Sequence, residues 1–575
     1  MPTTRRRFIQ SGAAAAAGFS LWGCGNGEAP VSAPSATTVF QNGIVLPVDA
    51  GFSQHAALAI RGGRILAVGD NESVTAAAGR GAEIVDLQGR VLMPGFIEPH
   101  MHFLLMAGLG HLRDIGPFVY PTFDEVLQAL REIREEAIAA GPDEWVMGRQ
   151  FDPILLEPQR ELLAADIDEV VPDRPVFVLN ASGHIAYVNS VALALAGLTA
   201  DSPDPDGGEY GRNPDGSLNG VLYGTNAHLP VILANPGLSN RMQNEFVSAG
   251  REVGDQAASL GITTLCDMAT GALGGASELE SYRAMYEDNL MKARIRAYLY
   301  SEAGGWDEAG IQPNQGDALM RVSGWKIVTD GSNQGFTGRQ REPYYTQDTV
   351  GLYYVEPDAL REAVSNRSAR GWQLAIHGNG DAAIDSILDS MEAADAGGVD
   401  VQSLRCRIEH CSILHDEQIE RMRALNMVPS FLINHVHYWG HVMRDTVFGP
   451  DKVQLLDRCA SVEEAGLTWV NHTDSPVSPL GSLHKIRVAV VRDLWKEPDT
   501  LLAPDEQVSV ETAIRAVTSS AALACHSEHE IGTLEPGKLA DLVVLEEDPR
   551  AIDPKRISDI AISETWMDGN RVFGG

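Results

Sequence analysis

Two histidines stand one residue apart at the end of an apolar run, Val91-Leu-Met-Pro-Gly-Phe-Ile-Glu-Pro-His-Met-His-Phe103. On a β-strand, residues i and i+2 face the same way, so His100 and His102 can close on one cation. Chance is a real rival, because 16 histidines among 575 residues place about 0.4 such pairs at random. His435-Val-His437 is a second pair of this kind. Company separates the first pair from coincidence. His377 ends Gln373-Leu-Ala-Ile-His377, His410 ends Arg407-Ile-Glu-His410, and Asp474 ends Thr468-Trp-Val-Asn-His-Thr-Asp474. Imidazoles and a carboxylate at the ends of separate apolar runs suit one or two divalent ions, Zn²⁺ first, with Mn²⁺ or Fe²⁺ accommodated. Such an ion acidifies a bound water and polarises a carbonyl. Asp474, beside that water, is the candidate general base.

Lys326 lies inside the apolar run Gly324-Trp-Lys-Ile-Val-Thr-Asp330. A buried lysine loses its charge readily, and the neutral amine can take up CO₂ as a carbamate able to bridge two metals. A salt bridge to Asp330 or Glu409 is the alternative. His184, in Asn180-Ala-Ser-Gly-His-Ile185, can stabilise a developing oxyanion or anchor a substrate, or serve only as a loop contact. His435, His437, Tyr438 and Trp439 follow the seventh apolar run and read as substrate contacts, as do Arg149, Phe151 and Asp152. Packing is the alternative for each.

What must position these groups is a barrel. Strand-like runs alternate with helical patterns, which points to βα units and a parallel sheet. Strands are expected at 95–102, 263–268, 294–300, 322–330, 372–377, 406–410, 427–433 and 468–474. Eight is the number that closes a (β/α)₈ barrel, whose catalytic groups sit at the C-terminal strand ends. The fold class is therefore α/β, with the catalytic barrel over 93–528 and an insertion after strand 1 at about 107–260. Within that insertion, Asp201-Ser-Pro-Asp-Pro-Asp-Gly-Gly-Glu-Tyr-Gly211 reads as an irregular loop. Short strands with glycine turns over 38–92 and again over 529–575 are expected to meet in one β-sandwich built from both chain ends.

Residues 1–37 carry a different message. Thr4-Arg-Arg-Arg-Phe-Ile-Gln10 precedes an alanine-rich run from Ser11 to Leu21, which is an export signal too short to remain as a spanning helix. The paired arginines before Phe8-Ile9 resemble a twin-arginine signal, which makes that export machinery a partner and the periplasm or cell envelope the destination. Leu21-Trp-Gly-Cys24 resembles a lipobox, with Cys24 as the acylated residue; an uncleaved membrane anchor is the alternative. The remainder holds no apolar run of spanning length, hence no mature transmembrane segment. The 78 acidic and 44 basic side chains leave a net charge of −34, which argues against a nucleic-acid or anionic-membrane surface and for a solvated acidic exterior, without identifying the small-molecule substrate expected as partner. Six cysteines without CxxC spacing form neither a zinc knuckle nor a disulfide framework. Homo-oligomerisation is compatible with all of this.

Taken together, Pro94-Gly-Phe-Ile-Glu-Pro-His-Met-His102, Ser182-Gly-His-Ile-Ala-Tyr-Val-Asn-Ser-Val-Ala-Leu193, Trp325-Lys-Ile-Val-Thr-Asp-Gly-Ser332, His377-Gly-Asn-Gly-Asp-Ala-Ala383, Arg407-Ile-Glu-His410, Thr473-Asp-Ser-Pro476 and Gly537-Lys-Leu-Ala-Asp-Leu542 resemble the amidohydrolase superfamily, in its amidohydrolase-3 (YtcJ-like) branch. The resemblance implies a metal-dependent barrel hydrolase in which His100, His102, carbamylated Lys326, His377, His410 and Asp474 hold one or two ions. It also implies hydrolysis of a non-peptide carbon–nitrogen bond: an amide, N-formyl amine or cyclic amide. Hydrolytic deamination, or ester or carbamate cleavage, uses the same apparatus, and a catalytically silent envelope binding lipoprotein is the reading from another class. Three features depart from the branch: Gly224 where a glutamate is usual, the segment Gly331-Ser-Asn-Gln-Gly-Phe-Thr-Gly338, and His472 where glycine commonly precedes the Thr/Ser-Asp pair. They flank the expected pocket and bear on specificity more than on chemistry.

Overall fold

The computed structural model describes residues 37–110 and 112–574; the expected export signal and Cys24 lie outside the described residues. Eight parallel strands run in sequence order: β1 (Phe96–Met101), β2 (Ile262–Thr270), β3 (Arg294–Tyr300), β4 (Met320–Val328), β5 (Leu374–Gly378), β6 (Arg407–His410), β7 (Val428–Phe431) and β8 (Val470–Asn471). The circle closes where Met101 bridges Ser475 in parallel, His102 N donating to the Ser475 carbonyl and Asp474 N to that of His100. Parallel strands need long crossovers; the crossover helices bury the outer face of the barrel and its packed interior buries the inner face, which is why these segments read as apolar runs. The helix Asp381–Ala396 is typical: Ile384, Ile387, Leu388 and Met391 recur at helical spacing on its buried face.

The eighth strand is shorter than its apolar run. Only Val470 and Asn471 pair with β7, because the chain curls away to a left-handed backbone at Asp474, φ 55°.

The insertion is more ordered than the sequence implied. It forms its own six-stranded mixed sheet, in the order Glu209–Arg212, Leu218–Tyr223, Ile185–Val188, Val176–Asn180, Val146–Phe151 and Arg113–Asp114. A separate core of Ile115, Phe123, Val126, Leu130, Val146, Val178, Tyr187 and Val221 supports it. Its main helix, Phe123–Ala140, starts at a capping box between Thr122 and Glu125. The end of the expected irregular loop is a strand, since Glu209–Arg212 folds back on Leu218–Tyr223 as a hairpin. The intervening Asn213-Pro-Asp-Gly216 supplies the turn, with Gly216 at φ 87°.

The two chain ends meet as two sheets over one core. Val91–Pro94 pairs antiparallel with Leu542–Leu545, and Phe40, Leu58, Leu92, Leu542, Val544 and Trp566 pack between the sheets. A buried bidentate pair, Arg294 to Asp541 at 2.7 and 2.9 Å, ties the start of β3 to this sandwich. Among the described residues no helix is long and apolar enough to cross a membrane, and the five described cysteines are free and buried.

Candidate metal centre

The C-terminal strand ends gather one buried cluster. His100 Nε2 and His102 Nε2 lie 3.1 and 3.0 Å from Asp474 Oδ1. His410 Nδ1 lies 3.9 Å from the other Asp474 oxygen, and His410 Nε2 is 3.0 Å from His377 Nδ1. Lys326 Nζ projects from β4, buried and without a hydrogen-bond partner, so it bonds neither Asp330 nor Glu409.

The cluster is over-determined by its frame. His410 and Asp474 both hold left-handed backbone, φ 70° and 55°, a conformation non-glycine residues keep only where the surroundings impose it. Thr473 N donates to Glu98 Oε1 at 2.9 Å, and Glu98 Oε2 meets buried Lys485 at 2.6 Å. Glu409 Oε2 lies 2.7 Å from His100 Nδ1 and accepts from Arg407 Nη2 at 3.0 Å. The glutamate thereby fixes the His100 ring with Nε2 turned to Asp474.

Electrostatics keep the ligating forms populated. Burial opposes ionisation of Asp474, yet the neighbouring imidazoles of His100, His102 and His410 hold its carboxyl well below the ordinary range. Burial pushes His377 and His410 well below the usual imidazole value, leaving them neutral. Lys326 is lowered to about 8, chiefly by burial.

Donor set and geometry fit a divalent cation. Donor atoms of His100, His102 and Asp474 all lie within 4.8 Å of one another. His100 Nε2, His410 Nδ1, Asp474 Oδ1 and Lys326 Nζ are buried without a hydrogen-bond partner. The short His–Asp approaches therefore lack hydrogen-bond alignment, as expected of groups converging on a shared ion. A second grouping, His100, Glu409 and His472, fits poorly because the Arg407 guanidinium already neutralises Glu409 at 2.7 Å.

The small cavity over the cluster is lined by His184, His377, His410, His435 and Asp474 together with Ser182, Ser332, Gln334 and Asn379. His184 reaches it from the insertion, its ring 5.1 Å from that of His377, and burial lowers its pKa to about 4. Other expected contacts do not line this cavity. Arg149 donates to the Leu112 carbonyl and faces Asp114. Phe151 packs on Tyr187 in the insertion's core. Asp152 is buried beneath Trp439, whose Nε1 donates to it at 2.6 Å, and burial raises its pKa to about 6 despite that bond. His435 and His437 lie on a wide helical turn, His435–Trp439, where residues two apart point to opposite sides. His435 faces the cavity, whereas His437 turns to Asp493 at 3.3 Å. Tyr438 packs on Phe118 and stacks on His484. His472 lies flat against the His100 ring, 4.4 Å away. His472 and the 331–338 segment, departures expected to flank the pocket, thus stand beside the cluster and in the cavity lining.

The profile of the Amidohydro_3 amidohydrolase family matches residues 83–573. The chain belongs to this family. Among its relatives, this amidohydrolase is 29% identical to Protein LONG AFTER FAR-RED 3 of Arabidopsis thaliana, over 92% of this chain and 91% of that protein. It is 28% identical to the N-substituted formamide deformylase of Arthrobacter pascens, over 92% and 96%. It is also 28% identical to the putative amidohydrolase YtcJ of Bacillus subtilis, over 85% and 90%. In fold, the amidohydrolase superposes on an uncharacterized metal-dependent hydrolase from Pyrococcus horikoshii with a TM-score of 0.70 at 22% identity, covering 90% of this chain and 99% of that one. The resemblance drawn from its motifs is borne out.

Proposed function

We propose that this metal-dependent hydrolase cleaves a non-peptide carbon–nitrogen bond in a small amide, N-formyl amine or cyclic amide. The observation that carries the reading is the approach of His100 and His102 to a single oxygen of Asp474, at 3.1 and 3.0 Å, beneath a small polar cavity. The similarity to an N-substituted formamide deformylase favours an acyl or formyl amine. His100, His102, Lys326, His377, His410 and Asp474 would hold one or two divalent ions, Zn²⁺ by the nature of the donors, or Mn²⁺ or Fe²⁺. Bound there, the ion acidifies a water and polarises the scissile carbonyl.

The chain's own groups supply the proton traffic. Asp474, held ionised, takes a proton from the attacking water and returns it to the departing nitrogen. His184, neutral and with a buried Nδ1 that has no partner, turns toward the carbonyl oxygen as negative charge grows there. Lys326, buried and unpaired, would combine as the free amine with CO₂ to give a carbamate, the displaced N–H proton leaving to solvent. The Arg-Arg-Arg-Phe-Ile run supports export through the twin-arginine machinery, which carries a chain already folded; Cys24 would anchor it in the envelope if acylated. The decisive experiment is a screen of N-formyl and N-acyl amines with metal-replete protein, reading amine release. Turnover supports the reading, and silence across the panel overturns it.

A further inference from the structure

The metal-ligand cluster does not account for the whole cavity. Two further lining residues, Ser332 and Gln334, are only 3% and 5% exposed, yet Ser332 Oγ and Gln334 Oε1 have no hydrogen-bond partner. Buried polar atoms are normally satisfied, and leaving one bare is costly unless a ligand completes it. Their loop is not free to collapse onto them. Ser332 N donates to Thr337 Oγ1, and Thr337 N and Gly338 N donate back to the Ser332 carbonyl. Between them, Asn333 Nδ2 donates to the Asn379 carbonyl, and Gln340 Nε2 donates to Asn333 Oδ1. Gly335 closes the packing: a Cβ there would meet Ser332 Oγ at 2.7 Å and Ile185 of the insertion at 2.8 Å. The charge of the lining is equally telling. No arginine and no lysine is among the residues lining the cavity, so a carboxylate entering it would lose water without a cationic side chain to replace it.

Resting on the carbon–nitrogen hydrolase reading above, we infer that Gln334 and Ser332 determine specificity, and that they select a neutral N-substituted amide. Gln334 accepts the N–H of the scissile group, Ser332 gives a second polar contact, and N-acyl amino acids with a free carboxylate are rejected. The test compares N-formylphenethylamine with N-formylphenylalanine, which differ only by the carboxylate, using the metal-replete full chain and its Gln334→Met and Gln334→Arg variants. The wild type should prefer the neutral member by about 10²-fold or more in kcat/KM, the scale on which an unpaired buried group discriminates. Gln334→Met should raise KM for the neutral member about 10-fold with kcat little changed, the signature of lost uniform binding. Gln334→Arg should narrow the preference by improving the carboxylate member. If either variant fails to fold, the wild-type preference decides alone. Equal or faster turnover of N-formylphenylalanine overturns the inference while sparing the hydrolase reading. An unchanged KM in a folded Gln334→Met overturns the role of Gln334, and turnover of no acyl amine at all overturns both readings.

Discussion

Replacing Glu409 by glutamine exchanges one carboxylate oxygen for an amide nitrogen at a position with no access to water. Both Glu409 and Arg407 have wholly buried side chains; Arg407 Nε lies 2.7 Å from Oε1, while Nη2 and His100 Nδ1 share Oε2 at 3.0 and 2.7 Å. Burial alone would keep Glu409 protonated, but Arg407 above all, and then His100, hold its carboxyl far below the ordinary range. A glutamine offers a single oxygen: at the Oε2 position it keeps Nη2 and His100 but turns its amide N–H₂ onto Arg407 Nε, at the Oε1 position it turns that group onto His100, and either way the guanidinium loses its counter-charge. Breaking one side of a buried pair costs roughly 3–5 kcal/mol. Arg407 keeps the Pro99 carbonyl at 2.9 Å and Ser430 Oγ at 3.2 Å, which places the expected loss near the lower end, about 3 kcal/mol. With the carboxylate charge behind the His100 ring gone, metal affinity should fall about 10- to 100-fold. Urea unfolding of the metal-free protein measures the first effect, and competition with a chelator for Zn²⁺ measures the second. Replacing both Arg407 and Glu409 by leucine should recover much of the stability but none of the affinity, because the buried charges go together while the His100 acceptor does not return. A Glu409→Gln protein that loses less than about 1 kcal/mol and binds Zn²⁺ as tightly as its parent would refute this account of the frame.

Asp474→Asn should lower kcat at least about 10²-fold while leaving the fold intact, as expected for loss of a general base; unchanged turnover excludes that role. Chelation should abolish activity, with Zn²⁺ or Mn²⁺ restoring it, and activity persisting in demonstrably metal-free protein would refute metal dependence. Reconstitution without bicarbonate should lower metal occupancy if Lys326 is carbamylated, and equal occupancy counts against the carbamate. Asp381 offers a pH test away from the cluster. Burial opposes its ionisation, but bonds from His415 and Lys452 depress its pKa from 3.8 to about 2. Its stabilisation is therefore complete above 3.8 and is lost as pH falls toward about 2. That shift is worth about 2 kcal/mol, so Asp381→Asn should lag the wild type by that amount near neutrality and converge with it in acid. A gap that does not narrow would show that the charge is not what matters.

The barrel was legible because a strand buried on both faces leaves no choice but an apolar run. Leu374-Ala-Ile-His377 and Arg407-Ile-Glu-His410 are short enough to be strands, and each ends on a ligand-type residue at the mouth. The insertion's sheet was harder to read. Val146-Met-Gly-Arg-Gln-Phe151 mixes both polarities, and Gln150 at φ 68° breaks the alternation that would have shown which side chains face inward. His435 and His437 diverge because spacing carries direction only once the element is known: two residues apart is one face on a strand and opposite sides on a helix. The 331–338 segment was legible as a flank of the pocket, but not that Ser332 and Gln334 are the side chains that enter it. Their orientation is set by hydrogen bonds within 331–340, and such a loop has no periodicity to read.

The two pieces of the molecule contribute different things to one site. Every candidate ligand comes from the barrel and sits at a strand end or, like His102 and Asp474, just beyond one. The insertion has its own core, and three of its contacts with that rim bear on the site: Gln150 donates to the Pro476 carbonyl just after Asp474, His184 stands against His377, and Asp152 accepts from Trp439 beside His435. The first contact steadies the loop bearing the proposed base, while the other two shape the space above it. Since the barrel alone carries the ligands, changes in the insertion should act on substrate choice and turnover before they act on metal retention. That division lets one ligand set serve substrates of different shape, because chemistry and recognition rest on different parts of the fold.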